Sequence, residues 1–235
     1  VHVAEIIHKD VKPQNILVDD VCTQVALVDF GIASELVQES TDAGIPEGLE
    51  GTLAYISPEQ TGRTARGLDA RTDLYSLGVL LYEAISGRRP FLETDPLALI
   101  HAHLAKAAPP LNGLVFGLPN IVANIVERCM EKSPDKRYQT ARGVAVDLEH
   151  CLRQLEERGH IDPFPMGQRD FSPKLRLPQT LVGREKEREQ IASAFERAAE
   201  GSVEMLLLGG SSGSGKTALV KSVYEDIAKT GRGLL

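Results

Sequence analysis

Cysteine is scarce in this chain of 235 residues, with Cys22, Cys129 and Cys151 alone. An odd, scattered set argues against a disulfide framework. It shows no metal-ligand spacing and points to reduced thiols in a cytoplasmic compartment. Long apolar runs are also lacking. The longest stretch, near residues 77–85, is too short and too interrupted to span a membrane. No secretory signal opens the sequence. Nor is there an excess of positive charge: 26 Lys and Arg face 33 Asp and Glu, and a net charge of -7 argues against a general nucleic-acid binder. Position 1 is Val rather than an initiator Met, so an internal piece of a longer protein is expected. What remains is ordinary globular composition, 42% hydrophobic and 25% charged, in a length that allows one or two domains.

Against this plain background stands His8-Lys9-Asp10-Val11-Lys12-Pro13-Gln14-Asn15, followed by Asp29-Phe30-Gly31. Phosphoryl transfer needs a carboxylate to orient the attacking hydroxyl, a cation on the transferred phosphate, and oxygen ligands for Mg²⁺. Asp10, Lys12, Asn15 and Asp29 supply that set in order. Chance would assemble the specified residues in on the order of one in ten thousand chains of this length. A surface turn punctuated by Pro and Asn is the plain alternative.

The segment resembles the catalytic loop of eukaryotic-type protein kinases, and Asp29-Phe30-Gly31 resembles their magnesium-binding motif. The resemblance implies that Asp10 accepts the substrate hydroxyl proton, Asn15 and Asp29 hold Mg²⁺, and Lys12 contacts the γ-phosphate of ATP. His8 would support the loop. Lysine at position 12 resembles the Ser/Thr branch. Lys9 stands where such kinases usually carry Arg to clamp a phosphorylated loop. Lysine cannot form the bidentate fork, which leaves that form of control without its usual clamp.

Further along, residues 16–18 and 25–28 read as two short strands around the turn-forming Asp19-Asp20. They would deliver Asn15 and Asp29 at their ends. Residues 34–51 are polar, Gly- and Pro-containing and aperiodic, and read as a loop, with Ser40 and Thr41 as candidate phosphosites. The stretch from Asp29 to Glu59 resembles a kinase activation segment. It closes with Thr52 for substrate docking and Ser57-Pro58-Glu59, which by itself also reads as a helix start. The family pattern pairs Glu59 with Arg137 and has Asp73 accept backbone N–H groups of the catalytic loop. Standing alone, Asp73 reads as a solvated acid at a helix N-terminus, and Arg137 as an exposed loop residue. Tyr75 replaces the family's usual Trp, with little expected effect on packing. Helices are expected over residues 95–106, 119–130 and 140–155, the last with Val144, Leu148 and Leu155 inward. Pro163, Pro165, Pro173 and Pro178 mark residues 158–180 as a semi-extended linker.

A second site follows. Residues 182–199 read as a charged amphipathic helix and Met205-Leu206-Leu207-Leu208 as a buried strand. The strand would lead into Gly210-Ser211-Ser212-Gly213-Ser214-Gly215-Lys216-Thr217, the phosphate-binding pattern G-x-x-x-x-G-K-[ST]. Backbone N–H groups of Ser212, Gly213, Ser214, Gly215 and Lys216 would cradle phosphates. Lys216 would reach their outer oxygens and Thr217 would ligate Mg²⁺, with the following helix adding its dipole. A flexible Gly/Ser linker is the plain alternative. Leu181-Val182-Gly183-Arg184-Glu185 resembles the entry to AAA-like ATPases of the STAND type.

The expected fold is therefore a mainly α kinase-like C-lobe of the α+β kinase fold over 1–157. The linker over 158–180 comes next, then the first βα unit of an α/β P-loop ATPase over 181–235. Such a combination resembles large bacterial signalling proteins that fuse a Ser/Thr kinase to an ATPase and often to a sensor histidine kinase. ATP, Mg²⁺, a protein substrate and further domains of the same polypeptide are the implied partners. The family's amino-terminal lobe, with its Gly-rich loop and strand Lys, does not precede Val1, so the chain alone is expected not to phosphorylate protein. The competing expectation is a regulatory module, either a pseudokinase scaffold or an ATP-driven switch. Retention of Asp10, Lys12, Asn15 and Asp29 together favours the enzyme.

Overall fold

A computed structural model describes residues 1–4, 6–21, 23–35, 53–64, 66–171, 183–211 and 214–229. Four short strands open the chain. β1 (Ile6–Ile7) pairs antiparallel with β4 (Ser34–Glu35), and β2 (Ile16–Val18) with β3 (Val25–Leu27) in the register Leu17 opposite Ala26. The β2–β3 turn is built by Asp19. Its carboxylate accepts the N–H of Thr23 at 2.6 Å and of Gln24 at 2.9 Å, an Asx device that holds the strands in line.

Behind these strands lie four helices: α1 (Ala70–Ser86), α2 (Pro96–Ala105), α3 (Asn120–Cys129) and α4 (Ala141–Arg158). Their starts follow their chemistry. Asp69, Asp95 and Thr140 cap α1, α2 and α4 by accepting N–H groups of Arg71, Ala98 and Gly143. α1 is central, with Leu74, Tyr75, Val79 and Tyr82 essentially without exposure. It meets α3 across Gly78, where a Cβ would lie 2.7 Å from that of Cys129, so the two helices approach at a distance only glycine permits.

Two features of α4 and its sequel differ from expectation. Leu155 is 48% exposed, while Cys151 and Gln154 turn inward with Val144. Gln154 accepts the N–H of Asp162 at 2.8 Å, so the returning chain covers that side and the helix's last turn overruns the apolar cluster. The stretch after α4 is not simply extended. Ile161, Phe164 and Met166 pack onto the cluster formed by α1, α3 and α4. Asp170 then accepts the N–H groups of Gln139 at 2.7 Å and Thr140 at 2.8 Å, together with the Thr140 hydroxyl at 2.8 Å. Pro163 and Pro165 keep the first part of this strap out of helix, a turn follows at residues 166–169, and its side chains anchor it.

Beyond lie α5 (Glu185–Ala199) and α6 (Lys216–Lys229), which pack together, and α6 also lies against α2. The expected strand at Met205–Leu208 is a correction. Residues 202–210 form no strand and pair with no described segment, and Met205, Leu206, Leu207 and Leu208 are 40–86% exposed. A strand of a parallel sheet exists only beside neighbours delivered by crossovers, and no described segment pairs with this one. Of the expected βα unit, helix α6 is formed. No helix among the described residues is long and apolar enough to cross a membrane.

Candidate active site

Asp73 organises the catalytic loop from below. One carboxylate oxygen accepts the N–H of His8 at 2.8 Å and the other that of Lys9 at 2.7 Å, and the His2 ring adds a third contact at 2.8 Å. A buried carboxylate is stable where donors surround it in this way. The loop it holds is strained. Lys9 (φ 69°) and Asp29 (φ 63°) are the non-glycine residues with left-handed backbone among those described, and both sit in the expected site. His8 joins the two motifs. Its Nδ1 accepts the N–H of Asp10 at 3.3 Å, so Nε2 carries the proton and donates to the carbonyl of Val28 at 3.0 Å. The His8 ring also meets Phe30 edge-on at 4.7 Å.

Asp10, Lys12 and Asn15 come together. Oδ2 of Asp10 receives Lys12 Nζ at 2.7 Å and Asn15 Nδ2 at 2.9 Å, and Nδ2 also donates to the Asp10 carbonyl at 2.8 Å. Oδ1 of Asp10 is buried and has no hydrogen-bond partner among the described residues. Asn15 is tied to the second motif through its carbonyl, which accepts the N–H of Val28 at 2.9 Å. Asp29 is exposed, and its Oδ1 accepts the N–H of Gly31 at 3.2 Å. With Nδ2 of Asn15 committed, its amide oxygen and the Asp29 carboxylate are hard oxygen donors of the kind Mg²⁺ takes.

Glu59, in the turn after Ser57, is anchored by Arg137. Arg137 is 1% exposed, and Nη1 and Nη2 grip the two Glu59 oxygens at 2.7 and 2.9 Å. Its other N–H groups reach the carbonyls of Glu131, Arg71 and Lys132, so all five donors are used. Thr52, Ser40, Thr41 and Cys22 lie outside the described residues.

Sequence reasoning missed two residues here. Gln60 donates from Nε2 to the Lys9 carbonyl at 2.7 Å and accepts the N–H of Ser57 at Oε1, 3.1 Å away. The Ser57-x-x-Gln60 spacing of a capping box carried that signal. Lys132, with no such signature, places Nζ 3.1 Å from the Ala102 carbonyl, 3.3 Å from the Tyr75 hydroxyl and 4.5 Å above the Phe91 ring. Burial pushes its pKa down to about 7. The Tyr75 hydroxyl also bonds His103 Nδ1 at 3.0 Å, a polar role that a reading of Tyr75 as packing alone does not foresee.

In the second motif, Gly210 (φ 155°) and Gly215 (φ 83°) make the backbone turns. Lys216 opens α6 and folds back, donating to the carbonyls of Gly210 at 2.7 Å and Ser211 at 2.8 Å. Arg184 donates to the Ser214 carbonyl at 3.0 Å, bracing the loop from α5's entry. Thr217 is exposed on the first turn, while Ser212 and Gly213 lie outside the described residues.

Residues 1–148 match the family model of the protein kinase domain, and residues 180–234 match that of an AAA ATPase domain. The chain belongs to the protein kinase family and continues into an AAA-type ATPase region, a kinase–ATPase fusion. Among similar proteins, the hybrid signal transduction histidine kinase G of Dictyostelium discoideum is 38% identical over 189 residues, covering 72% of this chain. A probable serine/threonine-protein kinase of Clostridium perfringens is 40% identical over 148 residues, and the serine/threonine-protein kinase PknB of Mycobacterium tuberculosis 37% over 149, each covering 63% of this chain. The chain spans 6% of the length of the first relative and 21% and 23% of the other two.

Proposed function

We propose that this chain carries the substrate-side half of a Ser/Thr protein kinase site, joined through the strap to an ATP-binding switch, within a multidomain signalling protein. The observation that carries the reading is the asymmetry of Asp10. Its Oδ2 is fixed by Lys12 and Asn15, while Oδ1 is buried and has no partner among the described residues. A substrate Ser or Thr hydroxyl donating to Oδ1 would supply the donor that this buried acceptor lacks among the described residues, and its oxygen would be oriented for in-line attack on the γ-phosphoryl of ATP. Lys12, whose Nζ lies 2.7 Å from Asp10 Oδ2, would turn to the transferred phosphate. Asn15 and Asp29 would hold Mg²⁺, which supplies charge neutralisation on the phosphates when bound. Thr52 is assigned to substrate docking on the family pattern.

Leu17, Val18, Val21, Val25, Phe30 and Ile32 are exposed around the strands and the Asp29 motif. These exposed apolar side chains, on both sides of the β2–β3 ribbon and beside the Asp29 motif, fit a covering lobe that would complete the nucleotide site. Lys216, Thr217 and the glycine turns support a second nucleotide site in the ATPase region. Unpaired, buried Cys129 and Cys151 fit a reducing, cytoplasmic setting.

The test is phosphate transfer to a protein substrate. A longer chain that includes the segment preceding Val1 is expected to be active and to lose on the order of 10²–10⁴-fold on Asp10→Asn. The 235-residue chain is expected to transfer none. A longer chain that binds nucleotide but never transfers phosphate would establish the regulatory, pseudokinase reading instead.

A further inference from the structure

Gln60 makes no contact with a reacting group, yet it touches both sides of the site. Its Nε2 donates to the Lys9 carbonyl at 2.7 Å and its Oε1 accepts the Ser57 N–H at 3.1 Å. The assignment of the amide is forced by its partners: the reverse orientation sets oxygen against oxygen and nitrogen against N–H.

What it holds on one side is the strained peptide preceding Asp10. Lys9 has φ 69°, and its N–H is already taken by Asp73 at 2.7 Å. Gln60 supplies the complementary grip on its carbonyl. On the other side it holds Ser57, at the head of the turn whose Glu59 is locked by Arg137 and by the Thr72 hydroxyl at 3.0 Å. A left-handed non-glycine residue persists only while its surroundings over-determine it.

We infer that Gln60 is a positioning residue that makes the orientation of Asp10 depend on the seating of the Ser57–Thr61 turn. This rests on the kinase reading for its catalytic consequence but not for its structural one. When the turn is seated, the Lys9 carbonyl has its donor and Asp10 is presented. When the turn lifts, the Lys9 carbonyl loses the Gln60 grip and the loop before Asp10 relaxes.

The test has two arms. In the 235-residue chain, hydrogen exchange is followed over residues 6–12 and, as a reference, 121–129. Gln60→Ala is expected to speed exchange over 6–12 by roughly tenfold, the scale of one lost hydrogen bond, with 121–129 unchanged. Unchanged exchange over 6–12 overturns the inference, and equal acceleration in both stretches shows mere loss of folding and overturns it too.

In the longer, ATP-competent chain, Gln60→Ala is expected to lower kcat by roughly tenfold or more with KM for ATP within about twofold. Gln60→Glu sets a carboxylate against the Lys9 carbonyl. Its kcat relative to the parent should fall at pH 7 and recover toward pH 5.5, as protonation restores a donor. A flat ratio across that range would overturn the positioning role. A parent chain without transfer activity would sink the kinase reading, while the exchange arm still decides the Gln60 contact.

Discussion

At the residue scale, the strongest stability claim concerns Arg137. Its guanidinium satisfies five donors against Glu59 and three carbonyls in a nearly sealed site. Removing it leaves the Glu59 carboxylate buried with the Thr72 hydroxyl as its remaining side-chain partner. Arg137→Ala should therefore cost ~3–5 kcal/mol in chemical denaturation, and unchanged stability would contradict the pairing.

Lys132 makes the opposite case. Its folded pKa of about 7 lies below its ordinary 10.5, with burial as the main cause and Arg137 as a second. Between about pH 7 and 10.5 the unfolded chain binds the extra proton, so stability should rise with pH through that window. Below 7 both states are protonated and the cost of burying the charge is fully present. Charged or titratable neighbours are Arg137, Glu131, Tyr75 and His103, the last held neutral by burial with a pKa near 3. Lys132→Met should raise the melting temperature at pH 7 and flatten its rise toward pH 9, because an apolar side chain of similar length removes the buried charge. The Ala102 carbonyl keeps the N–H of Lys106 at 3.0 Å and Tyr75 keeps His103.

At the element scale, helices were readable because their signals are local. The Asp95-Pro96 start and the Ile121, Val122, Ile125, Val126 and Cys129 stripe are written within a turn or two, and α2 and α3 form there. The triad Asp10, Lys12 and Asn15 was legible for the same reason: its members lie within six residues of sequence. The Gln60–Lys9 and Lys132–Tyr75 contacts were not, because they join residues 51 and 57 apart that only the packed chain brings together. The strap escaped a composition-based reading likewise. Prolines indicate an extended backbone but do not say whether it is docked. Its closeness yields a prediction of unusual sign. Gly→Ala inside a helix ordinarily stabilises by ~1 kcal/mol. At Gly143 in α4 a Cβ would lie 2.4 Å from Asp170 Oδ1, so Gly143→Ala should destabilise instead. Asp170 Cβ would also lie 2.7 Å away, so Asp170→Gly rather than Asp170→Ala removes the clash, and pairing it with Gly143→Ala should recover part of the loss, read as a non-additive double-mutant cycle.

At the scale of the whole molecule, two phosphate-handling motifs occur in one chain, and the match to the Dictyostelium histidine kinase covers more of it than the matches to the bacterial kinases do. If both motifs bind nucleotide, the longer protein should take two ATP per chain. Lys216→Ala should reduce this to one while leaving the Asp10-dependent transfer measurable. An unchanged stoichiometry would show that the Gly210–Thr217 loop holds no nucleotide. Met205–Leu208 is an exposed apolar run that pairs with no described segment, and such a run offers a pairing template.

The strap has one more consequence, in the language of tethers. Thirteen peptide units separate Asp170, pinned to the start of α4, from Gly183 at the entry to α5. At full stretch, whatever their conformation, they reach about 45 Å. Had the chain left the kinase lobe at Arg158, the leash would be nearly twice as long. Pinning Asp170 confines the ATPase region to a small volume around the lobe. The two halves then meet at an effective concentration of millimolar order, so even a weak contact between them would be populated.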